Sequence, residues 1–100
     1  MLTVTDVNVD RTEMILEVDV GGKSLRQIIA LDAIYRIKLT QEPVKTLFSR
    51  KQRKRIELLV RGREEPIVIR EEKIKLPFEV AEQTVRRIAE RNGTSIENES

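Results

Sequence analysis

Thr12-Glu13-Met14-Ile15-Leu16-Glu17-Val18-Asp19-Val20-Gly21-Gly22-Lys23-Ser24-Leu25-Arg26-Gln27-Ile28-Ile29-Ala30-Leu31 is the stretch that decides the fold class. Met14, Leu16, Val18 and Val20 fall on one side of an extended chain, and Glu13, Glu17 and Asp19 fall on the other. That period of two marks a strand with one buried face. Gly21-Gly22 supplies the positive φ angles of a two-residue hairpin turn. Ser24 to Leu31 then reads as the returning strand, with Leu25, Ile29 and Leu31 on its apolar face.

Outward from this hairpin the same period recurs. Leu2 to Val9 is rich in β-branched residues, but its phase slips at Asp6, which predicts a strand with a bulge. Asp10-Arg11 reads as a turn. Beyond the break at Asp32, the alternation of Ala33, Tyr35, Ile37 and Leu39 predicts a fourth strand of an antiparallel meander. Ile56 to Arg61 and Pro66 to Arg70 form a further hairpin through Gly62, and Ile74 and Leu76 suggest a short last strand. After Pro77 the period becomes 3.6: Phe78, Ala81, Val85, Ile88 and Ala89 make one stripe, and Gly93 sits where a helix C′ glycine belongs. Residues 1–93 are thus expected to form one domain, and residues 94–100 a polar, frayed tail.

Residues 43–55 admit two readings. Thr40-Gln41-Glu42-Pro43 breaks the strand and also resembles a helix start, and Val44, Leu47 and Phe48 keep helical spacing for one turn. Lys51, Gln52 and Arg55 then occupy the positions where the stripe should continue. Either a short helix or loop precedes a strand beginning at Ile56, or Pro43 to Arg55 is a helix lying on the sheet.

Composition narrows the function. The chain has no Cys and no His, so it lacks thiolate chemistry, the commonest general base and the commonest transition-metal ligands. No catalytic, metal or cofactor residue is assigned. Gly22-Lys23-Ser24 resembles the end of a phosphate-binding loop, but position 17 is Glu rather than Gly and a strand follows rather than a helix. Glu64-Glu65 and Glu71-Glu72 are neighbours whose side chains diverge on an extended chain. Ser24, Ser49 and Tyr35 have no His to activate them. A non-enzymatic protein is expected. The high share of charged residues, with few thermolabile ones, is a heat-adapted composition. With no signal-like N-terminus and no apolar run of membrane-spanning length, a cytoplasmic location is expected.

Charge is the one lopsided feature. The net +2 conceals residues 33–63, which carry ten basic and two acidic side chains, between two flanking segments that are each net acidic. Arg50, Lys51, Arg53, Lys54 and Arg55, extended by Arg61 and Arg63, are the candidate binding residues. Such a block fits phosphate contacts with nucleic acid or an acidic protein surface. Its scarcity of aromatics argues against base stacking, and the acidic protein partner is preferred.

The order of elements, and the stretches Ser24 to Leu39 and Leu76 to Ala89 in particular, resemble small prokaryotic pleckstrin-homology-like domains. The resemblance implies a mainly β (α+β) fold: an antiparallel roll or barrel of about seven strands closed by a C-terminal amphipathic helix. It further implies a scaffold that binds proteins, peptides or phospholipid headgroups without catalysis. In lipid-binding members the first hairpin loop carries several cations, whereas Asp10-Arg11 here carries one, and the closing helix lacks the frequent Trp.

Overall fold

A computed structural model describes residues 2–43 and 52–99. Strands β1 (Leu2–Val9), β2 (Glu13–Val20) and β3 (Lys23–Ala30) form an antiparallel three-stranded sheet. A 3-10 turn (Leu31–Ala33) leads into β4 (Ile34–Pro43), which pairs with β5 (Gln52–Val60), and β5 pairs in turn with β6 (Ile67–Arg70). Helix α1 (Phe78–Asn92) follows. The last strand, β7 (Ile96–Glu99), lies parallel to β4, so the second sheet runs β6-β5-β4-β7.

Each sheet has one apolar face, and the two faces are buried against one another. Met14, Leu16 and Val18 from β2 meet Ile37, Ile56, Leu58 and Ile69 from the second sheet in a single core. The stripe of α1, Phe78, Ala81, Val85, Ile88 and Ala89, joins the same core. Fully burying a side chain of this size contributes roughly 1.5–3 kcal/mol, so the cluster is the main source of stability. At the end of α1, Gly93 adopts φ 65°, and the Asn92 amide donates to the carbonyls of Leu31 (2.7 Å) and Ile34 (3.2 Å). The helix is thereby tied to the turn between the sheets.

Two bulges set the phases. In β1 the register jumps between Val4 and Asp6, which lets both Val4 and Val7 face the core across the slip. In β4 it jumps between Ile34 and Arg36. Ile34 and Ile37 therefore both point inward, and Tyr35, expected in the core, is left 47% exposed. Leu25 was likewise expected inside. It does lie on the core-side face, opposite Val18, but at the uncovered end of an edge strand, where it is 52% exposed.

Five further expectations are corrected. The two sheets do not close into a barrel: among the described residues no ladder joins β1 to β6 or β3 to the second sheet, although the Lys75 amide donates to the Thr5 carbonyl (2.9 Å) where the sheets approach. β5 begins at Gln52 rather than Ile56, because its pairing with β4 extends past the apolar positions to Pro43. A helix over Pro43 to Arg55 is excluded at both ends, and its middle, with Val44, Leu47 and Phe48, lies outside the described residues. Ile74 and Leu76 pack against the core from a connection without strand pairing. The expected tail contains β7, which has no alternation of its own and is held by its ladder with β4 and by Ile96 packing on the core. Among the described residues no helix is long and apolar enough to cross a membrane.

Leu58→Ala should destabilise the protein by about 2–5 kcal/mol in urea unfolding, whereas the exposed Ile28→Ala should cost no more than about 0.5 kcal/mol. Ending the chain at Gly93 should lower the urea midpoint, by about 1–3 kcal/mol in stability, through loss of Ile96 and the β7 ladder. A frayed tail would leave the midpoint unchanged.

Candidate functional site

The structure separates the cationic residues that the sequence groups together. Arg53, Lys54 and Arg55 lie at the start of β5, while Arg61 and Arg63 flank Gly62 in the turn after its end. Eight strand residues at roughly 3.3 Å each put Arg53 and Arg61 about 26 Å apart. Arg50 and Lys51 lie outside the described residues.

Arg53 and Arg55 belong to a mixed-charge lattice on the outer face of the second sheet, whereas Lys54, between them, falls on the opposite face and lines a cleft with Gln41, Phe78 and Glu82. Arg55 is partly buried: its Nε donates to the Thr40 hydroxyl (2.8 Å), and its guanidinium lies 3.5 Å from the Glu57 carboxylate. Thr40 is itself buried beneath this contact. The register places Lys38 between Glu57 and Glu97. Arg36 grips Glu97 through two bonds, of 2.7 and 2.9 Å. Cross-strand pairs of opposite charge support the sheet, so much of this charge serves the fold. Arg53 and Lys54 remain exposed.

The second group borders a different surface. The Arg61 amide donates to the Ala33 carbonyl (2.9 Å), and the Arg63 guanidinium donates to the side-chain oxygen of Gln27 on β3 (2.9 Å). Arg63 is thus held beside the first sheet by its side chain, and Arg61 by its backbone at the turn between the sheets. β3 is the outer strand of that sheet. The two-residue Gly21-Gly22 turn makes Val20 and Lys23 a bonded pair, and bonding alternates from there. Ser24, Arg26, Ile28 and Ala30 therefore present their backbone N–H and C=O groups to the open side. Leu25 (52%) and Ile28 (59%) are exposed on opposite faces of the strand, and β3 carries Lys23 and Arg26 but no carboxylate. An unpaired edge with apolar side chains and positive charge is a template for another polypeptide.

Sequence reasoning did not find this edge. Its signal was present: Leu25, Ile28, Ile29, Ala30 and Leu31 put apolar residues on both faces of one strand, more than a sheet with a single buried face can cover. Leu59 and Val68, apolar residues on the outer face of the second sheet, are half-buried.

Glu64, Glu65, Glu71 and Glu72 are exposed. Glu65 and Glu72 rim an open groove of about 560 Å³ between β1 and β6, beside Arg70 and Lys73. Among the described residues no group of three or more acidic side chains is placed to hold a metal. Comparison of the chain with protein-family models, with curated proteins and with solved structures finds no match.

The Arg36 hydrogen bonds hold the Glu97 carboxyl below its usual value of 4.5, opposed by a smaller desolvation. Because the folded-state value is depressed, the pair's contribution is fully present above the unfolded-state value and is lost as pH falls through the lower folded one. An NMR titration should show Glu97 protonating at lower pH in the wild type than in Arg36→Gln. Coincident curves would mean that the pair does not form in solution.

Proposed function

We propose that this chain is a non-enzymatic interaction module that docks an acidic protein partner along the β3 edge, with Arg61 and Arg63 flanking the contact. The observation that carries the reading is β3 itself: an outer strand with half-exposed Leu25 and Ile28, outward backbone groups and only positive charges. A partner strand laid beside it gains main-chain hydrogen bonds from Ser24, Arg26, Ile28 and Ala30, and apolar contact with Ile28 and Leu25. Charge complementarity with Lys23, Arg26, Arg61 and Arg63 speeds encounter and fixes the register.

Several features favour protein over nucleic acid. The candidate cations are split between the two ends of β5, and those at its start are interleaved with Glu57 and Glu97. A phosphate backbone is served best by a continuous cationic track. Arg53 and Lys54 add a secondary electrostatic contribution in this reading. Two sheets with a helix near the C-terminus are compatible with a pleckstrin-homology-like origin, and that kinship belongs to the proposal. The open sheets and the parallel β7 depart from the roll it implies.

Capture from nuclease-treated lysate should be retained by the wild type and lost in both Ile28→Lys and the double change Arg61→Glu with Arg63→Glu. Affinity for mixed-sequence DNA and RNA should be weak at low salt. A steep salt dependence that flattens when Arg53 and Arg55 are changed to Gln would transfer the function to nucleic acid.

A further inference from the structure

A second surface is built independently of β3. The second half of β1 and helix α1 border a groove of about 350 Å³. Val9, Leu31 and Ile88 make its floor apolar, and Val80, 47% exposed, stands on the helix side. Arg87 and Arg91 line the same side, and none of the described residues that line the groove carries a carboxylate. Arg91 donates to the backbone carbonyl of Arg11. Arg87 is exposed and bonds to none of the described residues.

The backbone of β1 opens into this groove. The Asp10 amide donates to the Glu13 carbonyl (2.9 Å), which sets the phase of the β1–β2 ladder. Asn8 and Asp6 then bond to β2, and Val7 and Val9 present their backbone groups to the free edge. Their N–H groups are satisfied locally: Val7 donates to the Asp6 carboxylate and Val9 to the Asn8 side-chain oxygen, both at 2.9 Å. Further back on the same edge, the Thr5 carbonyl accepts the Lys75 amide. One rung of an outer ladder is therefore occupied by the chain itself, and the next positions are held by two short side chains that can turn out to water.

We infer that the groove between β1 and α1 receives an extended segment of a partner protein in which apolar and acidic residues alternate. The segment adds as a strand beside Val7, Asn8 and Val9, continuing the line begun by Lys75. Its backbone replaces the Asp6 and Asn8 side chains as the partner of the Val7 and Val9 N–H groups. Alternate apolar side chains pack on Val9, Val80 and Ile88, and its carboxylates meet Arg87 and Arg91. The charge of the lining selects the occupant: Arg87 and Arg91 attract carboxylates and repel a basic segment, while the Asp6 carboxylate, released from the Val7 N–H, turns out to water.

The probe is a short fluorescent peptide alternating glutamate and valine, titrated into the intact protein, with a lysine–valine peptide as its counterpart. The glutamate peptide should bind and shift the Val7 and Val9 amide resonances. Affinity should fall about tenfold or more in Arg87→Glu and in Val80→Asp, both exposed positions whose folding is checked by the amide spectrum. It should stay unchanged in the double change Arg61→Glu with Arg63→Glu, which separates this groove from the β3 edge. Four outcomes would overturn the inference: no binding at millimolar peptide, equal binding of the lysine peptide, affinity insensitive to Arg87 and Val80, or loss of binding only on changing Arg61 and Arg63. A concentration-dependent dimer abolished by Arg87→Glu would give the groove to a second copy of the chain instead.

Discussion

Each sheet of this protein has one apolar face, and everything else depends on pressing those faces together. Leu16 and Val18 on β2 and Ile56 and Leu58 on β5 alternate with polar neighbours, so neither sheet is stable with its inner face in water. The bulges at Thr5 and Tyr35 serve this contact, since each keeps two inward residues inward across a change of phase. Helix α1 then covers apolar side chains that the sheets leave exposed to one another's open end. Its attachment through Asn92 to the carbonyls of Leu31 and Ile34 fixes it where the chain passes from one sheet to the other.

A sandwich that does not close has edges, and these are treated unequally. β7 is four residues long and carries Glu97 and Glu99, and short charged edges resist pairing. β1 is covered at Thr5 by Lys75 and occupied at Val7 and Val9 by the side chains of Asp6 and Asn8. β3 is eight residues long, and none of the hydrogen bonds among the described residues covers its outward groups by a neighbouring strand. An edge of that length with Leu25 and Ile28 in water invites association. Lys23 and Arg26 limit which chains can approach: the same charges guard against self-pairing and, in the proposed docking, favour an acidic partner.

What was legible in the sequence follows from which signals are local. The strand periods around Met14–Val20 and Ile56–Val60, the Gly21-Gly22 turn, the slip in β1 and the whole of α1 with Gly93 each depend on residues adjacent along the chain. All are in the structure at or near the expected positions. The missed features depend on distant partners. β7 has a single apolar residue, Ile96, and becomes a strand only because β4 offers an open edge. Tyr35 alternates correctly with Ile37 in the sequence but is displaced by a bulge set by the register with Val60 and Leu59. Leu25 has the right phase for the core and lies at an end of the sandwich that none of the described residues covers. The candidate site shares this limit: adjacency in sequence joined Arg53 to Arg61, and a strand carries them to opposite ends.

That separation changes what the positive charge means. A run of cations in a loop would act as one electrostatic object, with its affinity set by the number of phosphates it neutralises. Spread by the strand, they answer to different neighbours: Arg55 to Thr40 across the ladder and to Glu57 along its own strand, and Arg63, beyond the strand's end, to Gln27 on β3. A guanidinium held in this way presents a fixed direction and loses little further freedom on binding, whereas a loose one loses much of its rotamer entropy. Arg63 is therefore suited to orient a partner at β3, and Arg55 to hold the outer face of its own sheet together. The division follows from geometry, since the two residues are alike in chemistry and differ in what the fold places beside them.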